Sequence, residues 1–204
     1  MEPVFTLPYS EYAVVNEFNR HFGKRDGFSI YVPASRQEKG VDFLLHYSIG
    51  NRCLRFQVKS SKCYINENQR SLAKGDLKYN LWFKNFINRY TLDQADFYVL
   101  FGLYPDYGID KSIRSKKSFW RSLILCLRDE EMGALLGQVK TKKEEKQDRF
   151  FGIGFDSPKA IYGTRGFATP KDMTHHLLDQ QVQAIKNEVL TSNQRSNRTL
   201  DSAG

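Results

Sequence analysis

A chain of 204 residues is long enough to bury a real core, and 40% hydrophobic with 14% aromatic residues argues for a folded globule over a disordered chain. The net charge of +8 favours a polyanionic partner, against the plain alternative of a basic globule with none. No apolar run approaches the roughly 20 residues of a bilayer span, and MEPVFTLPYSEY lacks the pattern of a secretory signal, so a cytoplasmic protein without membrane contact is expected.

Cys53, Cys63 and Cys126 are odd in number and show no CxxC or Cys/His spacing, which argues against a disulfide framework and against structural zinc. His175 and His176 would point about 100° apart on a helix, poor geometry for one ion, and read as surface residues.

In chain order, Ser10 is a good N-cap and Glu11 to Gly23 reads as a helix closed by glycine. Its apolar stripe is Val14, Val15, Phe18 and Phe22, and Glu11 lies on that stripe whereas Glu17 faces water. A first-turn acid suits the helix dipole, which is the plain explanation of Glu11; beside a second acid it would complete a metal site. Phe28 to Val32 is a short strand ended by Pro33, and the loop after it carries Arg36 and Lys39.

Val41 to Tyr47 and Cys53 to Lys59 alternate around Gly50-Asn51 and predict a hairpin with a two-residue turn. That turn sets Asp42 across from Lys59 and Leu44 across from Gln57, and any even loop keeps the same parity. Val41, Phe43, Leu45, Leu54, Phe56 and Val58 form one apolar face; Asp42, Gln57 and Lys59 share the other. The plain reading of Asp42 and Lys59 is a cross-strand ion pair on a solvated face. An acid, an amide and an amine together on otherwise hydrophobic strands also fit a site.

Farther on, Ser60 to Lys74 is polar and irregular and includes Lys62. Leu77, Tyr79, Leu81 and Phe83 alternate with Lys78, Asn80, Trp82 and Lys84, predicting a strand with a basic polar face. Ala95 to Tyr104 reads as a central strand buried on both faces and stopped by Pro105. The loop from Asp106 to Ser118 holds Lys111, Arg114, Lys116 and Lys117 ahead of Trp120, the pattern of a solvated charge run or of a nucleic-acid-facing loop. Phe119 to Leu127 is a strand, Asp129 to Val139 a short helix with acids in its first turn, and Lys140 to Arg149 an exposed linker. Phe150 to Phe155 reads as the terminal strand. Thr169-Pro170 opens a last helix with Asp172 as its capping acid and Leu178, Val182, Ile185 and Val189 as its apolar face. The expected organisation is a single domain over 1–190 with a polar, disordered tail over 191–204.

This order, with SEYAVVNEF, GVDFLL and LRFQVKSS, resembles the PD-(D/E)xK nuclease superfamily, the restriction-endonuclease-like fold, in the QxK branch of certain homing endonucleases and small nuclease-like proteins. The resemblance covers about the first 100 residues. It implies an α/β fold with a central mixed sheet flanked by helices. It also implies a site in which Glu11, Asp42 and Gln57-Val58-Lys59 surround one or two divalent metals.

Gly40-Val41 stands where the family has a proline before the acid, and Gln57 where it has an acid. An amide oxygen ligates a hard cation but brings no charge, so Glu11 has to supply the second carboxylate. The implied activity is a Mg²⁺-dependent endonuclease acting on DNA, with Mn²⁺ as a possible substitute and RNA not excluded. Glu11, Asp42, Gln57 and the Val58 carbonyl would be the metal ligands, and Lys59 would act on the attacking water or the transition-state charge. Arg36, Lys39, Lys62, Lys84, Lys116 and Lys117 are candidate phosphate contacts. Duplex cutting on both strands would call for a homodimer. Two alternatives stand beside this one: a catalytically inactive nucleic-acid-binding domain of the same fold, and a protein-interaction or immunity-type module in which Asp42 and Lys59 are structural.

Overall fold

The computed structural model describes residues 9–33, 40–68, 70, 76–84, 86–106, 119–141 and 148–191. Helix α1 (Tyr9–His21) buries Val14 and Phe18, with Phe22 just beyond its end, as the 3.6-residue spacing predicts. Strands β1 (Phe28–Tyr31), β2 (Phe43–Tyr47) and β3 (Arg52–Ser61) form an antiparallel meander. Two hairpin strands follow, β4 (Cys63–Ile65) and β5 (Tyr79–Lys84). Strand β6 (Phe97–Asp106) then pairs parallel with β3, and β7 (Phe119–Arg128) pairs antiparallel with β6. Helix α2 (Asp129–Gly137), strands β8 (Phe150–Ser157), β9 (Ala160–Gly163) and β10 (Lys171–Asp172), and helix α3 (Leu178–Thr191) complete the described chain.

The result is a mixed α/β fold with two five-stranded sheets. The central, mixed sheet has the order β1-β2-β3-β6-β7, and the second, antiparallel sheet the order β10-β9-β8-β5-β4. On one face of the central sheet, Phe43, Phe56, Phe97 and Val99 pack with Val14 and Phe18 of α1 and with Ile185 and Val189 of α3. The Phe18 ring meets both Phe43 and Phe56 edge-on with centroids 5.0 Å apart, a favoured aromatic geometry. On the other face, Tyr98, Leu100 and Leu125 pack with Leu81, Ile153 and Phe155 of the second sheet and with Leu135 of α2. Strand β6 is therefore buried on both faces, as its unbroken apolar run predicts. The two long helices cover one face only, and the second sheet covers the other.

Several expectations are corrected. The connection from β2 to β3 is four residues, Ser48 to Asn51, and Asn51 rather than Gly50 takes the left-handed conformation at φ 48°. The register moves by two residues, so Phe43 faces Phe56 and Leu44 faces Arg55 rather than Gln57. Parity survives, because the loop length stays even. Pro105 does not stop β6: it pairs with Trp120 of β7. Pairing to β3 ends at Gly102, so the missing N–H of Pro105 costs no ladder bond on that side.

Strand β8 is not the last, since β9 and β10 extend the sheet. Asp172 accepts a 2.8 Å bond from the Thr174 N–H just ahead of a short 3-10 turn, Thr174–His176, and does not stand at the start of the long helix. His176 is not on the surface: it is 5% exposed, between Met173 and α3. The linker at 142–147, most of the basic loop (107–118) and the tail at 192–204 lie outside the described residues. No helix among the described residues is long and apolar enough to cross a membrane.

Candidate functional site

The four residues expected at a site come from three elements. Asp42 immediately precedes β2, where its N–H donates to the Phe56 carbonyl at 2.8 Å. Its Oδ2 accepts a 2.6 Å bond from the Val58 N–H, replacing a main-chain acceptor at the point where β2 begins. Extending the observed register by one residue sets Asp42 opposite Gln57, so the two share a face; the sequence placed Lys59 at that position.

Gln57 and Lys59 point to the side of the central sheet that carries the second sheet, because their partners on β6 are Tyr98 and Leu100, both in the inter-sheet core. Gln57 is 6% exposed, and its Oε1 is buried with no hydrogen-bond partner. A buried amide oxygen left in this state is costly, and it gains a partner if a cation or a donor enters.

Lys59 is half-buried with its ammonium 5.2 Å from the centroid of the buried Phe86 ring. Burial pushes its pKa below the ordinary lysine value, Asp42 pulls it back up, Arg89 pushes it down and Glu11 raises it. Glu11, half-buried in the first turn of α1, is therefore within electrostatic reach of the same ammonium as Asp42. From helix and hairpin start, two carboxylates act electrostatically on the Lys59 ammonium, and the Gln57 amide shares a sheet face with it.

Among the described residues, no group of three or more His, Cys, Asp or Glu side chains is arranged to hold a metal ion. The set implied by the resemblance has only two acids, completed by an amide and a main-chain carbonyl. All four donors are oxygen, and one of them is the orphaned Gln57 Oε1, so the donor chemistry fits a hard divalent cation.

Of the six candidate phosphate contacts, Lys62 and Lys84 are exposed, while Arg36, Lys39, Lys116 and Lys117 lie outside the described residues. Sequence reasoning misses Phe86 and Arg89, which the turn after β5 brings to Lys59; a single Arg in a short turn carries no spacing signal. Beyond Lys59, a cleft of about 430 Å³ is lined by Ser60, Ser61, Lys62, Phe101, Leu103 and Trp120. A larger one of about 550 Å³ lies on the far side of the second sheet, around Asn80 and Tyr162, away from these residues. No family model, curated protein or solved structure matches this chain. Fold and side-chain geometry together define a mixed α/β protein with a carboxylate, amide and lysine cluster at the end of a β-hairpin.

Proposed function

We propose that the protein is a metal-dependent endonuclease of the PD-(D/E)xK type that hydrolyses DNA phosphodiester bonds. The observation that carries this reading is the half-buried Lys59 ammonium within electrostatic reach of Asp42 and Glu11, on the face that holds the orphaned Gln57 oxygen. Asp42, Glu11, Gln57 and the Val58 carbonyl would hold Mg²⁺, which when bound supplies charge neutralisation at the phosphate and activation of water.

Lys59 supplies a cation for the charge that builds on phosphate oxygens. Its lowered pKa also brings the neutral amine, a proton acceptor, closer to neutral pH. Asp42 is held in place by the Val58 N–H, so it offers its remaining lone pairs from a fixed position. Three free cysteines, Cys53, Cys63 and Cys126, agree with a cytoplasmic setting for this activity.

One observation favours a second reading. Asp42 already serves the backbone at Val58, and Gln57 brings no charge, so a nucleic-acid-binding domain without catalysis is the alternative. Incubation with supercoiled plasmid, single-stranded DNA and RNA, in Mg²⁺, Mn²⁺ or EDTA, separates the two. Metal-dependent cleavage supports the nuclease and names its substrate. Salt-sensitive binding without cleavage supports the alternative.

A further inference from the structure

The outer face of the second sheet carries an aromatic and basic surface that the hairpin site does not use. Tyr64 of β4 and Trp82 of β5 stack with ring centroids 4.7 Å apart, yet they remain 40% and 38% exposed. Tyr64 faces Asn80, so continuing the register by two residues sets Lys62 opposite Trp82 and on the same face. Lys84 shares that face, its ammonium 5.5 Å from the centroid of Phe150 on the neighbouring strand; the Arg165 guanidinium lies 4.7 Å from the same centroid.

A Cβ at Gly152 would come within 3.0 Å of Arg165 Cβ and 3.3 Å of Trp82 Cδ1, so the bare backbone lets both side chains fold across β8. Two acids of this face are engaged. Asp148 holds Arg165 at 3.2 Å, and Asp156 accepts from the Lys78 N–H at 2.7 Å. Lys62 and Lys84 thus flank the aromatic pair as exposed cations.

Stacked aromatics left open to solvent and flanked by lysines offer π-faces to bases and charge to phosphates. We propose that this face is a platform for single-stranded nucleic acid, with bases stacking on Tyr64 and Trp82 and phosphates meeting Lys62 and Lys84. The inference rests on the proposed function for its class of ligand and for Lys62 and Lys84 as phosphate contacts, while Tyr64 and Trp82 are not part of the hairpin site. The two are joined. Ser61, two residues past Lys59, accepts from the Trp82 N–H at 2.7 Å and donates to the Trp82 carbonyl at 3.0 Å, and Lys84 is two residues before Phe86, beside Lys59. The platform thus shares its strands with the site but lies on the outer face of the second sheet, turned away from Lys59.

The chain has two tryptophans, so Trp120→Phe leaves Trp82 as the sole tryptophan, which is excited selectively at wavelengths where tyrosine does not absorb. That variant is titrated with oligothymidylate in EDTA, where no cleavage occurs. Quenching of Trp82, with affinity that falls as salt rises, is expected. Fluorescence anisotropy of a labelled oligonucleotide should show affinity weakened roughly five- to hundredfold by Trp82→Ala and largely kept by Trp82→Phe. Lys84→Ala should lower the salt slope by about 0.7. No quenching, or equal affinity in Trp82→Ala and Tyr64→Ala proteins that remain folded by circular dichroism, would overturn the platform. Such a result alongside metal-dependent cleavage leaves the nuclease standing. Binding through Trp82 without cleavage in any metal does the reverse.

Discussion

The Val58 amide and the Asp42 carboxylate are joined by a 2.6 Å hydrogen bond across the β2–β3 hairpin, so one side chain has both a structural and a proposed catalytic duty. Asp42→Ala leaves the Val58 N–H without its acceptor and should cost about 1 to 3 kcal/mol of stability in addition to activity. Asp42→Asn keeps an acceptor oxygen and should melt close to wild type, yet should lose cleavage because the ligand charge is gone. Thermal melts and plasmid nicking on both variants separate the duties; an active Asn variant would remove Asp42 from the site.

Lys59 should behave in the opposite way. Its folded-state pKa lies below the unfolded one, so between those two values the unfolded chain binds more protons and stability rises with pH. Below that interval the full penalty of holding a charged ammonium there is present. Lys59→Met, which removes the charge and keeps the stem, should therefore melt at or above the wild-type temperature while cleavage falls by at least about a hundredfold. A clear drop in melting temperature would mark Lys59 as part of a structural ion pair instead.

Gln57→Glu tests the metal set directly. A third carboxylate at a 6% exposed position, near Asp42 and within the same site as Glu11, should destabilise the metal-free protein. Added Mg²⁺ or Mn²⁺ should then raise the melting temperature of this variant more than that of wild type, and half-maximal cleavage should need about tenfold less metal. Equal metal responses in the two proteins would argue against Gln57 as a ligand.

His176 should make the fold acid-sensitive. Burial pushes its pKa down to about 4, with the neighbouring His175 adding to the shift and Glu131 opposing it from 3.8 Å. Below about pH 6.5 the unfolded chain takes up a proton that the folded chain refuses, so stability falls as pH drops from about 6.5 toward about 4. The loss attributable to this residue is on the order of 2 to 3 kcal/mol across that interval. Denaturant melts of His176→Gln should show a flatter acid limb than wild type.

What the sequence reveals of this fold is what depends on local periodicity. The period of 3.6 in α1 and α3 and of 2 in β2, β3 and β5 identifies their buried faces, and those faces are the ones packed in the two cores. Parity brings Asp42, Gln57 and Lys59 to one face even though the turn is two residues longer than expected, because facing depends only on whether the loop is even. What fails depends on distant partners. Pro105 stays in a strand because β3 ends three residues before it, and His176 is buried because β7 and α3 close around it, neither of which a local window reports. The second sheet is hidden for the same reason: β5 and β8 meet across some 70 residues of chain, and the two-residue β10 is too short to show any period.

The most direct test is the initial rate of supercoiled plasmid nicking in Mg²⁺, in EDTA, and in Mg²⁺ with Lys59→Met shown to be folded by circular dichroism. The account predicts nicking in the first reaction and none in the other two. Nicking that persists in the folded Lys59→Met protein, or no nicking by wild type in either Mg²⁺ or Mn²⁺, would contradict it.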